Sequence, residues 1–133
     1  MDKLNVAVVG AGRRAAGAWI PTVDLLDDQL NLVAVCNTGA SRGEEQANKY
    51  GVRWYTNVDK MLDEQKPDFV AVIVNPAQAH IVSKAVLERG ISVVTETPIA
   101  SSVEDADMLI ALAKEKGAYI ETAENLSRMP SSA

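Results

Sequence analysis

The chain has 133 residues, with 13 Lys or Arg against 18 Asp or Glu, a formal net charge of −5, and 47% hydrophobic residues. That length suits one soluble globular domain, and the acidic balance offers no clustered cations to displace counterions from nucleic-acid phosphates or to meet an anionic membrane surface. One cysteine, Cys36, and one histidine, His80, are too few for an internal disulfide or a protein metal cage, and no apolar run reaches the roughly 20 residues of a membrane span, so a cytoplasmic protein without a metal is expected.

Leu4–Val9 is short, mostly apolar and followed by Gly10, the pattern of a strand buried on both faces. From Ala16 the period changes. Ala16, Trp19, Ile20, Val23 and Leu26 share a helical stripe, and Pro21 within it predicts a kink or a short first helix. Leu30–Cys36 returns to a strand pattern, and Ser41 is placed to cap a polar helix that runs to Tyr50 and stops at Gly51. A short strand over Val52–Tyr55 precedes a small helix opened by Asn57 or Asp59 and running through Met61 and Leu62. Phe69–Val74, the most hydrophobic run, reads as a central strand, followed by a helix from about Ala77 to Arg89 that buries Val82, Ala85 and Val86 and halts at Gly90. Ile91–Thr95 is the fifth strand. Ser101 and Glu104 have capping-box spacing before a helix burying Val103, Ala106, Leu109, Ile110 and Ala113; Gly117 ends it behind Lys114 and Lys116, and Ala118–Thr122 is a sixth strand.

Strands alternating with helices predict an α/β fold, a doubly wound (Rossmann) parallel sheet of about six strands in the order 3-2-1-4-5-6, with helices on both faces as three layers, α/β/α. The expected domain covers residues 1–123, and 124–133 reads as a tail without periodic structure.

Gly10-Ala11-Gly12-Arg13-Arg14-Ala15 fits the G-x-G-x-x-G/A fingerprint where the first strand hands over to a helix. Gly10 permits the tight turn, Gly12 lets backbone approach a pyrophosphate, and a small residue at 15 lets helix and strand pack closely. The helix start adds free N–H groups and a partial positive charge, so Gly10, Gly12, Arg13, Arg14 and Ala15 are the expected phosphate-binding stretch of an NAD or NADP site. The end of the second strand, where NAD-preferring proteins carry an acidic ribose reader, has Asn37 instead. Thr38, Ser41, Arg42 and Arg13 could contact a 2′-phosphate, and the reading leans slightly towards NADP; a helix cap with two solvated arginines is the competing explanation.

With this loop in place, Asn75-Pro76-Ala77-Gln78-Ala79-His80, Glu96-Thr97-Pro98 and Ala123-Glu124-Asn125 leading to Arg128 and Pro130 make the whole chain resemble the first domain of the glucose–fructose oxidoreductase / inositol dehydrogenase family. The resemblance implies a dinucleotide-binding domain followed, in the family, by a larger α/β domain that completes the substrate pocket. It implies that Asn75, Pro76, His80, Glu96, Pro98 and Asn125 line the cofactor, His80 being alternatively a surface helix histidine. It also implies that Thr97 stands where the family has the lysine of its Glu-Lys-Pro motif, beside the nicotinamide. A threonine hydroxyl has neither the charge nor the pKa for acid–base work, so Thr97 departs from the family at its catalytic position.

The functional expectation is an NAD(P)-binding domain of an oxidoreductase that transfers hydride at CH–OH groups of sugars, cyclitols or related polyols. On this reading the 133-residue chain alone is catalytically incomplete, takes a polyol or sugar substrate only with a second domain, and could form a homodimer through uncovered apolar surface. The alternative is a non-catalytic dinucleotide-binding regulatory or protein-interaction module. A third reading treats the glycine loop as a relic in an assembly protein.

Overall fold

Each buried strand is a run of small and β-branched residues with turn or cap chemistry at its ends, and the computed structural model describes residues 3–96 and 98–123. The strands are β1 (Leu4–Val9), β2 (Leu30–Cys36), β3 (Arg53–Tyr55), β4 (Phe69–Val72), β5 (Ser92–Glu96) and β6 (Ile120–Ala123). They form one sheet in the order β3-β2-β1-β4-β5-β6, every pair parallel. The expected α/β class, strand order and layering are what is found. Segment 124–133 and Thr97 lie outside the described residues.

Period-two alternation along β1 feeds two cores. Ala7 and Val9 pack on one face with Met61 and Leu62 of α3 (Val58–Gln65), Ala79, Val86 and Leu87 of α4 (Pro76–Glu88), and Leu109 and Ala113 of α5 (Val103–Lys116). Val8 packs on the other face with Val35, Ala71, Ala15 and Ile20. Asn57 caps α3 and Asn75 caps α4, each accepting a backbone N–H three residues on. Gly51 and Gly117 end α2 (Ala40–Tyr50) and α5 in the left-handed region, with the basic last turn of α5 as read.

Of the two outcomes expected at Pro21, a kink or a short first helix, the short helix is found. Three other local expectations are corrected. The chain opens a π-helical turn at Ala15–Trp19, with Ile20 N–H bonded to Ala15 O, before α1 (Ile20–Leu25) starts with proline in its first turn. Widening the preceding turn accommodates a ring that lacks an N–H and would crowd the carbonyl four residues back. Leu26 then falls beyond the helix and is 39% exposed. Ser41 is not a cap: Gly39 occupies the cap position, its carbonyl already accepting from Asn37 Nδ2 at 2.9 Å. The α5 cap is one residue later than read, with Ser102 Oγ accepting Asp105 N–H at 3.1 Å and donating to Asp105 Oδ2 at 3.0 Å. That shift goes with a rotated apolar face, on which Leu109 and Ala113 are buried but Val103 and Ile110 are exposed.

Candidate functional site

Because β1 pairs with both β2 and β4 while their helices cross on opposite faces, a crevice opens at the carboxyl ends of these strands. The loop after β1 forms its floor. Gly10 N–H donates to Cys36 O at 2.7 Å, and Ile73 N–H donates to Val9 O at 2.8 Å, stitching three strand ends together. Gly10 has φ +118°, and a Cβ there would overlap the Ile73 carbonyl. Its glycine is required by the backbone. Gly12 is different. It needs no left-handed φ, and a Cβ there would meet nothing within 4 Å. Packing within the chain does not require that glycine, which borders the open cleft.

Ala16 N–H closes the first helical bond onto Gly12 O at 2.9 Å. The N–H groups of Arg13, Arg14 and Ala15 therefore have no intrahelical acceptor and sit at the positive end of the helix. The resulting cleft, about 370 Å³, is lined by residues 10–15, Asn37, Ile73, Val74, Asn75, Gln78 and Glu96. Of the residues singled out in the sequence, Gly10, Gly12, Arg13, Arg14, Ala15, Asn37, Asn75 and Glu96 thus meet around one space.

Asn37 is engaged within the protein on both sides. Its Oδ1 accepts Ala11 N–H at 3.1 Å, its Nδ2 donates to Gly39 O, and its own N–H donates to Tyr55 O at 2.9 Å. Across the cleft, Arg14 Nε donates to Glu96 Oε1 and Oε2 at 3.0 and 2.9 Å, and Trp19 Nε1 donates to Glu96 Oε1 at 3.2 Å. Cys36, beneath the loop, is buried as expected of a strand residue, and burial pushes its thiol up to about 11.

Two smaller spaces adjoin the cleft. Arg13 and Arg42 border a hollow of about 230 Å³ between the loop and α2, which Glu45 and Gln46 of the same helix also line. Thr38 lines a slot of about 100 Å³ with Cys36, Asn37, Thr56, Val58, Val74, Gln78 and Val82. Pro76 is exposed in the first turn of α4, and Pro98 is exposed after β5; neither lines the cleft. His80 does not line it either. It turns towards α5, with Nε2 3.8 Å from Asp105 Oδ2 and Nδ1 buried without a hydrogen-bond partner among the described residues. Thr97 and Asn125 lie outside the described residues.

Sequence reading missed Ile73, Val74 and Gln78 as lining residues, Thr56 and Val58 in the slot, and the Trp19 bond to Glu96. Gln78 had a usable signal: it follows the cap residue Asn75 by three, which places both on the same side of the helix start.

A family model described as an oxidoreductase family with an NAD-binding Rossmann fold (GFO/IDH/MocA) matches residues 4–123. D-glucoside 3-dehydrogenase of Escherichia coli strain K12 is 34% identical over 86% of this chain and 32% of its own length. Among solved structures, the WlbA dehydrogenase of Bordetella pertussis, in complex with NADH and UDP-GlcNAcA, superposes with TM-score 0.92 at 21% identity, covering 98% of this chain and 40% of that one. GenD2 of gentamicin A biosynthesis, in complex with NAD, gives TM-score 0.88 at 28% identity over 98% of this chain and 37% of that one. The chain spans 32% to 38% of the length of curated relatives it matches. No helix among the described residues is long and apolar enough to cross a membrane.

Proposed function

Because the chain belongs to the Gfo/Idh/MocA oxidoreductase family, whose NAD-binding Rossmann domain it carries over residues 4–123, we propose that the cleft after β1 holds a nicotinamide dinucleotide for hydride transfer at CH–OH carbons of sugars, cyclitols or related polyols. The observation that carries this reading is the unfilled Cβ position of Gly12. It lies beside the unpartnered N–H groups of Arg13, Arg14 and Ala15, a donor set that fits a diphosphate. The slot under Thr38 and Gln78, walled by Val58, Val74 and Val82, suits the flat apolar adenine. The cofactor, when bound, supplies the hydride chemistry, and the protein supplies binding and orientation.

Asn37 carries no charge to repel a 2′-phosphate, and Arg13 and Arg42 flank the adjoining hollow with no ion pair of their own among the described residues. This arrangement supports a lean towards NADP, with Thr38 a further hydroxyl donor. Asn75 and Glu96 line the side of the cleft towards β4 and β5 and are proposed to bound the nicotinamide half, with Thr97 and Asn125 following by resemblance. The sugar dehydrogenase among the relatives supports the substrate class. A second reading, a module whose output is nucleotide occupancy, is favoured by Thr97, whose neutral hydroxyl cannot do the work of a lysine.

Calorimetric titration with NAD⁺ and NADP⁺ tests the proposal. Binding of either form by the folded wild-type chain, lost in Gly12→Asp, is the expected result. A folded chain that binds neither overturns it.

A further inference from the structure

The glycine loop and the end of β5 are 82 residues apart in sequence, yet one three-membered contact joins them. Glu96 accepts from Trp19 Nε1 on one oxygen and from Arg14 Nε on both. The bond pattern is lopsided for an arginine. A guanidinium has five N–H donors in a planar fork, and side-on pairing with a carboxylate ordinarily engages Nε together with a terminal nitrogen. Here only Nε is engaged. Neither Nη of Arg14 has a partner among the described residues, and the side chain, 53% exposed, lines the cleft.

The partner carboxylate is better enclosed, 31% exposed, and is itself held by an indole that packs against the core containing Ala15 and Ile20. Glu96 is therefore fixed from the protein side, and it in turn removes rotamer freedom from Arg14 before any ligand arrives. Fixing a long cation in advance lowers the cost of binding an anion, because that freedom is no longer lost at the moment of contact.

We propose that Arg14 is the diphosphate-binding cation of the cleft, presenting its two free Nη groups to the phosphate on the nicotinamide side, and that Glu96 and Trp19 are positioning residues acting through it. The assignment rests on the dinucleotide reading above. It places the load on one half of the ligand: Arg14 reaches towards β5, whereas Asn37 and Thr38 lie at the end of β2. Ligands that carry the second phosphate should feel Arg14, and AMP should not.

The test is titration of the wild-type chain, Arg14→Gln, Glu96→Gln, Trp19→Phe and the two double variants containing Arg14→Gln with NAD⁺, ADP-ribose and AMP, with urea unfolding alongside. Arg14→Gln should weaken NAD⁺ and ADP-ribose by about tenfold, the loss of a charge-assisted pair, and leave AMP within about twofold. Glu96→Gln and Trp19→Phe should each weaken ADP-ribose, which lacks the nicotinamide, about two- to fivefold in the wild-type background and have no effect on it once Arg14 is gone. Tighter ADP-ribose binding in Glu96→Gln would mean that the carboxylate competes for Arg14 and repels the ligand, and would overturn the proposal. So would equal losses for AMP and ADP-ribose, or an effect of Trp19→Phe that persists without Arg14. A wild-type chain that binds none of the three ligands and no NADP⁺ would instead sink the dinucleotide reading itself, a result distinguishable from all the others.

Discussion

The two ends of the sheet treat their arginines in opposite ways. Towards the amino end, Arg89 at the close of α4 spends its whole fork within the protein. Its Nε donates to Asp63 Oδ1 at 3.1 Å, its Nη1 to Ala85 O at 3.0 Å, and its Nη2 lies 3.1 Å from Asp59 Oδ1. The Asp63 hydrogen bond, aided by the charges of Asp63 and Asp59, pushes its pKa further up. Nearby, Asn5 N–H is satisfied by Asp68 Oδ2 at 2.7 Å. At the carboxyl end Arg14 spends one donor, while Arg13 and Arg42 have no ion pair among the described residues. Saturated cations hold helices together. Unsaturated ones leave donors free, so on the proposed reading the two ends separate stability from binding.

Gly10 is where that separation should break. It lies at the binding end, but its φ of +118° and the Ile73 carbonyl behind it make it part of the frame. Gly10→Ala should cost about 2–4 kcal/mol in urea unfolding and abolish cofactor binding with it. Gly12→Asp should sharpen the comparison, weakening NAD(P) binding at least about 100-fold, roughly 3 kcal/mol, in calorimetry while the urea midpoint stays put.

Cys36 sits at the binding end, and the titration of its buried thiol should report on stability. Its thiol is raised from 9.0 to about 11 in the fold, so the unfolded chain ionises first as pH rises. The stabilisation is complete below about pH 9 and is lost between about 9 and 11, by on the order of 2–3 kcal/mol. Comparing urea midpoints of wild type and Cys36→Ala across that window should show the steeper decline in wild type. The smallest effect is expected at the other end. Arg89→Ala should lose about 0.5–1 kcal/mol, the scale of a partly exposed network, with NAD⁺ affinity unchanged.

The frame of the site was legible because its causes are local. Apolar runs of strand length, a glycine fingerprint at a strand-to-helix junction and cap residues such as Asn57 and Asn75 each act within a few residues. The sheet order followed from alternating elements and the common order of doubly wound sheets. What escaped depends on rotation and long-range approach. Whether His80 faces the cleft or α5 is a question of helix phase, and the apolar residues of α5 spread over more than one face, so Val103 and Ile110 read as core and stand exposed. A one-residue slip from Ser101 to Ser102 is within what capping chemistry alone can distinguish. The Arg14–Glu96–Trp19 contact had no sequence signal at all, since it exists only because the sheet brings β5 beside the first loop.

Trp19 carries one more consequence. Its indole is half-shielded and bonded to a cleft carboxylate, while the other tryptophan, Trp54, sits on edge strand β3 with 37% of its surface exposed. Two emitters in such different surroundings make the protein its own optical probe. The reduced nicotinamide ring absorbs where indoles emit, so loss of indole emission would report the arrival of a reduced dinucleotide without any label.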